Sequence, residues 1–220
     1  MRKLIEGIVE FRRNVQKEYR EHFGKLAVGQ TPDTLFIACS DSRVVPNTFA
    51  STNPGDLFVI RNAGNLIPPC GHDGHSTGDE AEPAAIEYSI QTLGVKDIIV
   101  CGHSECGAMR ALFDNRKKVK LPNLKSWLRH GDAAVEQFKN GLSLNPSLSP
   151  ANQISQLNVL LQMENVKSYP SVAKGFNEGR LGIHGWWFDI ASADVYAYEE
   201  EFKRFVLIDE EEAARMMKNS

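Results

Sequence analysis

The run Asp97-Ile98-Ile99-Val100-Cys101 limits the fold of this chain more than any other feature, because it is apolar from its second residue on with no polar alternation. A strand with one wet face alternates apolar and polar side chains. A strand without alternation is covered on both faces, as in a parallel sheet. Thr34-Leu35-Phe36-Ile37-Ala38 and Leu57-Phe58-Val59-Ile60 are two further short runs of strand formers. All three end abruptly in polar residues: Cys39-Ser40-Asp41-Ser42-Arg43, Arg61-Asn62-Ala63-Gly64 and Gly102-His103-Ser104-Glu105-Cys106-Gly107. In open α/β sheets, sites form beyond the carboxyl ends of strands, where these residues fall.

Helical spacing fills much of the rest. Leu4, Ile8, Phe11, Val15, Tyr19 and Phe23 predict an amphipathic N-terminal helix of about six turns. Ala84 to Leu93 reads as a helix between the second and third strands. Pro122 to Asn140, Pro150 to Val166 and Pro170 to Glu178 read as later helices, with Ile154, Leu157 and Leu161 on one face of the second. Leu181 to Ile190 and Val195 to Tyr198 read as late strands, and Asp209-Glu210-Glu211-Glu212 as the start of a terminal helix. The Gly-rich insert from Gly71 to Glu80 reads as an exposed loop. The expected fold is therefore α/β: a central, mainly parallel sheet flanked by helices, with an N-terminal helical extension, in one domain over residues 1–220.

Composition narrows the function. A net charge of −3 offers no basic surface for nucleic acid, and no apolar stretch is long enough to span a bilayer. The N-terminus starts basic, but Glu6, Glu10, Arg12 and Arg13 interrupt any signal-peptide core, so a cytoplasmic protein is expected. Four cysteines are too sparse for a disulfide scaffold; in a reducing compartment they are ligands, nucleophiles or core residues.

His103 and Cys106 lie three residues apart after one strand, and Cys39 directly follows another. If the strands are neighbours, three ligands of a catalytic zinc set converge and leave a fourth position open. Spacing alone leaves the alternative of packed cysteines, which is the reading for Cys101. Asp41 and Arg43 alternate with Cys39, so an extended backbone turns all three the same way. They read either as a surface ion pair or as a carboxylate held by a guanidinium fork beside the metal.

Cys39-Ser40-Asp41-Ser42-Arg43 followed by His103-Ser104-Glu105-Cys106-Gly107 resembles the two signature motifs of the β-class carbonic anhydrases. Pro54 to Asn62, Ala84-Ala85-Ile86-Glu87-Tyr88 and His184-Gly185-Trp186 resemble that family in the same order, from about Leu4 to about Tyr198. The resemblance implies one Zn2+ per chain on Cys39, His103 and Cys106, and reversible hydration of CO2 to bicarbonate and a proton by zinc-bound hydroxide. Two thiolates cancel the formal charge of zinc, so the bound water is expected to titrate above that of a three-histidine site. Asp41 is implied to orient the hydroxide, or to take the fourth zinc position in a closed state, and Arg43 to hold Asp41 ionised. Asn53, Gly64 and Tyr88 are implied at the substrate cleft. Asn53 stands where a glutamine is usual, and Cys70 near the place of an aromatic.

Some family members carry a regulatory bicarbonate site built on an indole, a phenol and an arginine. Here Arg61 is present, but Phe36 and Phe188 stand at the two donor positions and cannot donate, so an open site without regulation is expected. The family also implies a homodimer or a multiple of dimers, with Tyr19, Phe23, Trp186 and Trp187 as interface aromatics. His72 and His75 read as solvated, and His184 as a core or interface histidine. Competing functions are CS2 or carbonyl sulfide hydrolysis on the same site, a serine hydrolase from the near match of Gly102 to Cys106 to G-x-S-x-G, and a structural or redox zinc clamp.

Overall fold

The computed structural model describes residues 1–218. Six strands form one sheet in the order β2-β1-β3-β4-β5-β6: β1 (Thr34–Cys39), β2 (Leu57–Asn62), β3 (Asp97–His103), β4 (Gly182–Asp189), β5 (Asp194–Glu199) and β6 (Arg204–Leu207). β2, β1, β3 and β4 are mutually parallel, and β5 and β6 add antiparallel. The helices are α1 (Arg2–Asn14), α2 (Gln16–Leu26), α3 (Pro46–Phe49), α4 (Ala81–Tyr88), α5 (Gly107–Phe113), α6 (Pro122–Trp127), α7 (Asp132–Lys139), α8 (Pro150–Lys167), α9 (Pro170–Asn177) and α10 (Glu210–Lys218). Among the described residues, no helix is long and apolar enough to cross a membrane.

The missing alternation in β1 and β3 has its cause in two buried faces. Leu35, Ile37, Ile98 and Val100 pack against Ile86, Val159 and Val166, while Phe36, Ala38, Ile99 and Cys101 pack on the other face with Val44 and Phe188. Each such aliphatic side chain contributes about 1.5–3 kcal/mol. β2 is an edge strand, only partly buried, with Val59 exposed.

The sequence reading of the elements departs from the structure in several places. The N-terminal helix is two helices, α1 and α2, broken at Val15 (φ −117°, ψ −38°), and neither buries a residue. The helix expected over 84–93 starts at Ala81 and widens at Ser89–Leu93, where the Gly94 N–H reaches back to Ser89 O. The helix over 122–140 is α6 and α7, joined by a tight turn at Leu128–Gly131. β6, α3 and α5 had no counterpart in the sequence reading. The loop over 71–80 is largely exposed and pinned at its base by Thr77 N–H to Pro69 O at 3.0 Å.

Candidate metal centre

The register pairs Ala38 with Cys101, so β1 and β3 are neighbours and deliver Cys39 and His103 to one edge. Beyond His103 the chain turns through Glu105, a non-glycine residue at φ +54°, and Cys106 then caps α5. Asn152 of α8 clamps this strained turn: its Oδ1 accepts from Glu105 N–H at 2.8 Å, and its Nδ2 donates to Glu105 Oε1 at 3.1 Å.

Cys39, His103 and Cys106 are all buried, and their ligand atoms lie within 4.8 Å of one another. The two sulfurs are 4.0 Å apart. A tetrahedral zinc with bonds of about 2.3 Å separates two thiolates by roughly 3.8 Å, so the spacing fits. His103 Nδ1 lies 2.8 Å from Ser104 O, which fixes the proton there and turns the bare Nε2 inward. That Nε2 is buried with no hydrogen-bond partner. An orphaned imidazole nitrogen facing two thiols is a donor set that a metal satisfies.

The two thiols are coupled through an S–H···S contact. The Cys39 thiol is pushed down chiefly by the S–H it accepts from Cys106, with burial opposing. The Cys106 thiol is held up as that donor, and by burial. The N–H of Gly64 also points at Cys39 Sγ, at 3.3 Å. Gly64 sits at φ +89°, and a Cβ there would fall 2.8 Å from Ala108 Cβ, so only glycine brings its backbone this close.

Asp41 and Arg43 meet, but not through an extended strand, since β1 stops at Cys39 and the chain turns. Arg43 N–H and Nε donate to Asp41 Oδ1 at 3.0 and 2.9 Å, and Nη2 donates to Oδ2 at 2.8 Å. Arg43 Nη2 also donates to Glu105 O at 3.1 Å, joining the two motifs. The guanidinium holds the Asp41 carboxyl well below the usual carboxylate range. Arg61 donates to Cys39 O at 3.0 Å and Asp41 O at 2.7 Å.

Gly64 therefore lies at the centre, while Asn53 and Tyr88 do not. Tyr88 is exposed beside Phe58, with ring centroids 5.9 Å apart. Phe58 stands opposite Leu35, four residues before Cys39 in the register, or roughly 13 Å down the strand. Asn53 precedes β2 at the same end, its N–H bonded to Asp56. His72 and His75 are exposed, and Cys70 lies outside the centre.

Ser104 is no nucleophile here: it is buried, its hydroxyl donates to Asp189 at 2.8 Å, and it accepts from Ile190 N–H. The sequence reading missed the buried amides and hydroxyls of α8. Besides Asn152, Ser155 Oγ donates to His103 O at 2.8 Å and Asn158 donates to Gly64 O at 3.1 Å. Their signal was a helix rich in Asn, Gln and Ser that carries no charge from Pro150 to Met163.

Fold and site together define an α/β protein with a buried cysteine–histidine–cysteine cluster that fits a metal ion at the carboxyl edge of its sheet. The family model described as carbonic anhydrase matches residues 34–195. A carbonic anhydrase of Pseudomonas aeruginosa is 39% identical, over 98% of this chain and 95% of its own length. The structure of the β-carbonic anhydrase CcaA aligns with a TM-score of 0.86 at 39% identity, covering 95% of this chain and 92% of that one. Tetrameric β-carbonic anhydrases from Sordaria macrospora align with a TM-score of 0.76 at 28% identity, covering 89% and 95%. The chain belongs to the carbonic anhydrase family, in its β class.

Proposed function

We propose that this chain hydrates CO2 reversibly to bicarbonate and a proton, with one zinc ion held by Cys39, His103 and Cys106. The observation that carries this reading is the unpartnered His103 Nε2 facing two buried sulfurs, beside a carboxylate gripped by arginine. Zinc in that pocket supplies a Lewis acid that lowers the pKa of water. The rest falls to the chain. Asp41 stays ionised at working pH, and its Oδ2, which takes a single bond from Arg43, keeps a lone pair free. It accepts an O–H at the pocket mouth and thereby orients the attacking oxygen toward CO2. Arg43 positions Asp41, and the Glu105 carbonyl ties Arg43 to the β3 side of the centre.

The site is read as open. Phe36, Phe49 and Phe188 fill the space of the absent donors, Phe49 stacking on Phe188 at 4.7 Å and lying 6.0 Å from Phe36. Trp186 brings a buried, unpartnered indole N–H to the cluster, but the Arg61 guanidinium is already engaged by two carbonyls.

Asn53 and Tyr88 are read as serving a second copy. The β2 edge is open, and α1 and α2 leave Leu4, Ile5 and Ile8 exposed. Pairing two β2 edges antiparallel brings the Asn53–Tyr88 end of one copy to the Cys39 end of the other. All four cysteines are free, in keeping with the cytoplasm.

Chelation tests the reading. Protein stripped of metal should lose CO2 hydration in stopped flow and regain it with one equivalent of zinc. Hydration that survives complete removal of metal would sink it.

A further inference from the structure

We propose that the loop between α5 and α6 is a docking surface for an anionic lipid bilayer, which it meets peripherally through lysines and one aliphatic side chain. The net charge of −3 conceals a local excess of the other sign. From Arg110 to Arg129 the chain carries seven cations and one anion, Asp114.

The loop is tied down at its base. Arg116 Nε and Nη2 donate to the Asp132 carboxylate, and Nη1 donates to Lys125 O at 3.0 Å. Lys125 Nζ donates in turn to Lys117 O at 2.9 Å. Asn115 sits at φ +90°, and its side chain accepts from Lys117 N–H at 2.9 Å. Val119 packs inward on the cluster that holds Leu112 and Leu128. Its backbone is extended (φ −64°, ψ 121°), so Lys118 and Lys120 on either side turn outward. Lys117, Lys118 and Lys120 are exposed, as is Lys139 nearby, and Leu121 is 63% exposed. Among the described residues, none of these four lysines pairs with a carboxylate. A fixed run of like charges repels itself, and an anionic partner relieves that repulsion.

The chemistry selects a bilayer over other polyanions. Arg116, whose fork suits a two-point grip on a phosphate or carboxylate, is spent on Asp132. The free cations are lysines, point charges that suit a diffuse anionic surface. The groove of about 350 Å³ between Lys117 and Lys139 is lined by Asp132 and Glu136, which repel an acidic peptide from entering it. Leu121, between Lys120 and Pro122, offers a soluble polyanion nothing. At a bilayer it buries among acyl chains while the lysines reach the headgroups. The surface lies beyond the end of α5 opposite Cys106, and its test does not depend on the reaction proposed for the metal centre.

Cosedimentation of the metal-loaded protein with vesicles tests it, using phosphatidylcholine alone or mixed with phosphatidylglycerol. Two variants accompany the parent: Lys118→Glu with Lys120→Glu, and Leu121→Ser. All three side chains are exposed, so both variants keep the fold, checked by circular dichroism and zinc content. The parent should pellet with the mixed vesicles and stay in solution with phosphatidylcholine alone. Raising salt from about 0.05 M to about 0.5 M should release it. The double charge reversal should weaken binding at least about tenfold, since each lysine at an anionic surface contributes about fivefold. Leu121→Ser should weaken it at least about threefold. No pelleting with the mixed vesicles in low salt, parent-like binding by either variant, or tighter binding to poly-glutamate or duplex DNA than to the vesicles would overturn the proposal.

Discussion

At the scale of residues, the centre depends on three side chains and on the backbone that aims them. Cys39→Ser, His103→Ala and Cys106→Ser should each lose zinc, read by metal analysis after gel filtration. Full zinc in all three variants would remove the ligand assignment. Gly64→Ala tests the backbone: the added methyl meets Ala108 and a positive φ, and should cost about 1–3 kcal/mol in a denaturant titration. Zinc uptake should also show the coupling of the two thiols. With the Cys39 thiol pushed down and the Cys106 thiol held up, binding near pH 8 should release about one proton per zinc. The sign follows: apparent affinity weakens about tenfold for each pH unit lowered. Calorimetry in buffers of different ionisation heat measures the proton count, and no release would contradict the arrangement.

At the scale of elements, α8 joins the sheet to the site. Asn152→Ala leaves the Glu105 N–H unpaired in a strained turn and should cost about 1–3 kcal/mol, with weaker zinc retention. Loss of stability without any change in zinc retention would make Asn152 a fold residue only. The two central strands were legible in the sequence because burial on both faces removes alternation, and Cys39, His103 and Cys106 were legible because parallel strands end at one edge. Asn152, Ser155 and Asn158 were not, since hydrogen bonds between distant segments leave no period. β6 escaped because four residues at an edge carry too little pattern. The break at Val15 escaped because the apolar spacing runs through it unchanged.

At the scale of the molecule, the packed aromatic cluster beside the site bears on the open-site reading proposed above. In the open-site reading, with Phe36 and Phe188 at the two donor positions, bicarbonate has no closed state to favour, so activity should rise with pH along one titration. A steep, cooperative loss below about pH 8, deepened by bicarbonate, would mean that Asp41 moves onto the metal. The most direct measurement is stopped-flow CO2 hydration of the parent and Asp41→Ala, with zinc determined on the same samples. Asp41→Ala should keep about one zinc per chain and lose at least about tenfold in rate, because the metal stays while the orienting carboxylate goes. A zinc-loaded parent that does not hydrate CO2, or an Asp41→Ala variant that runs at the parent rate, would contradict the account.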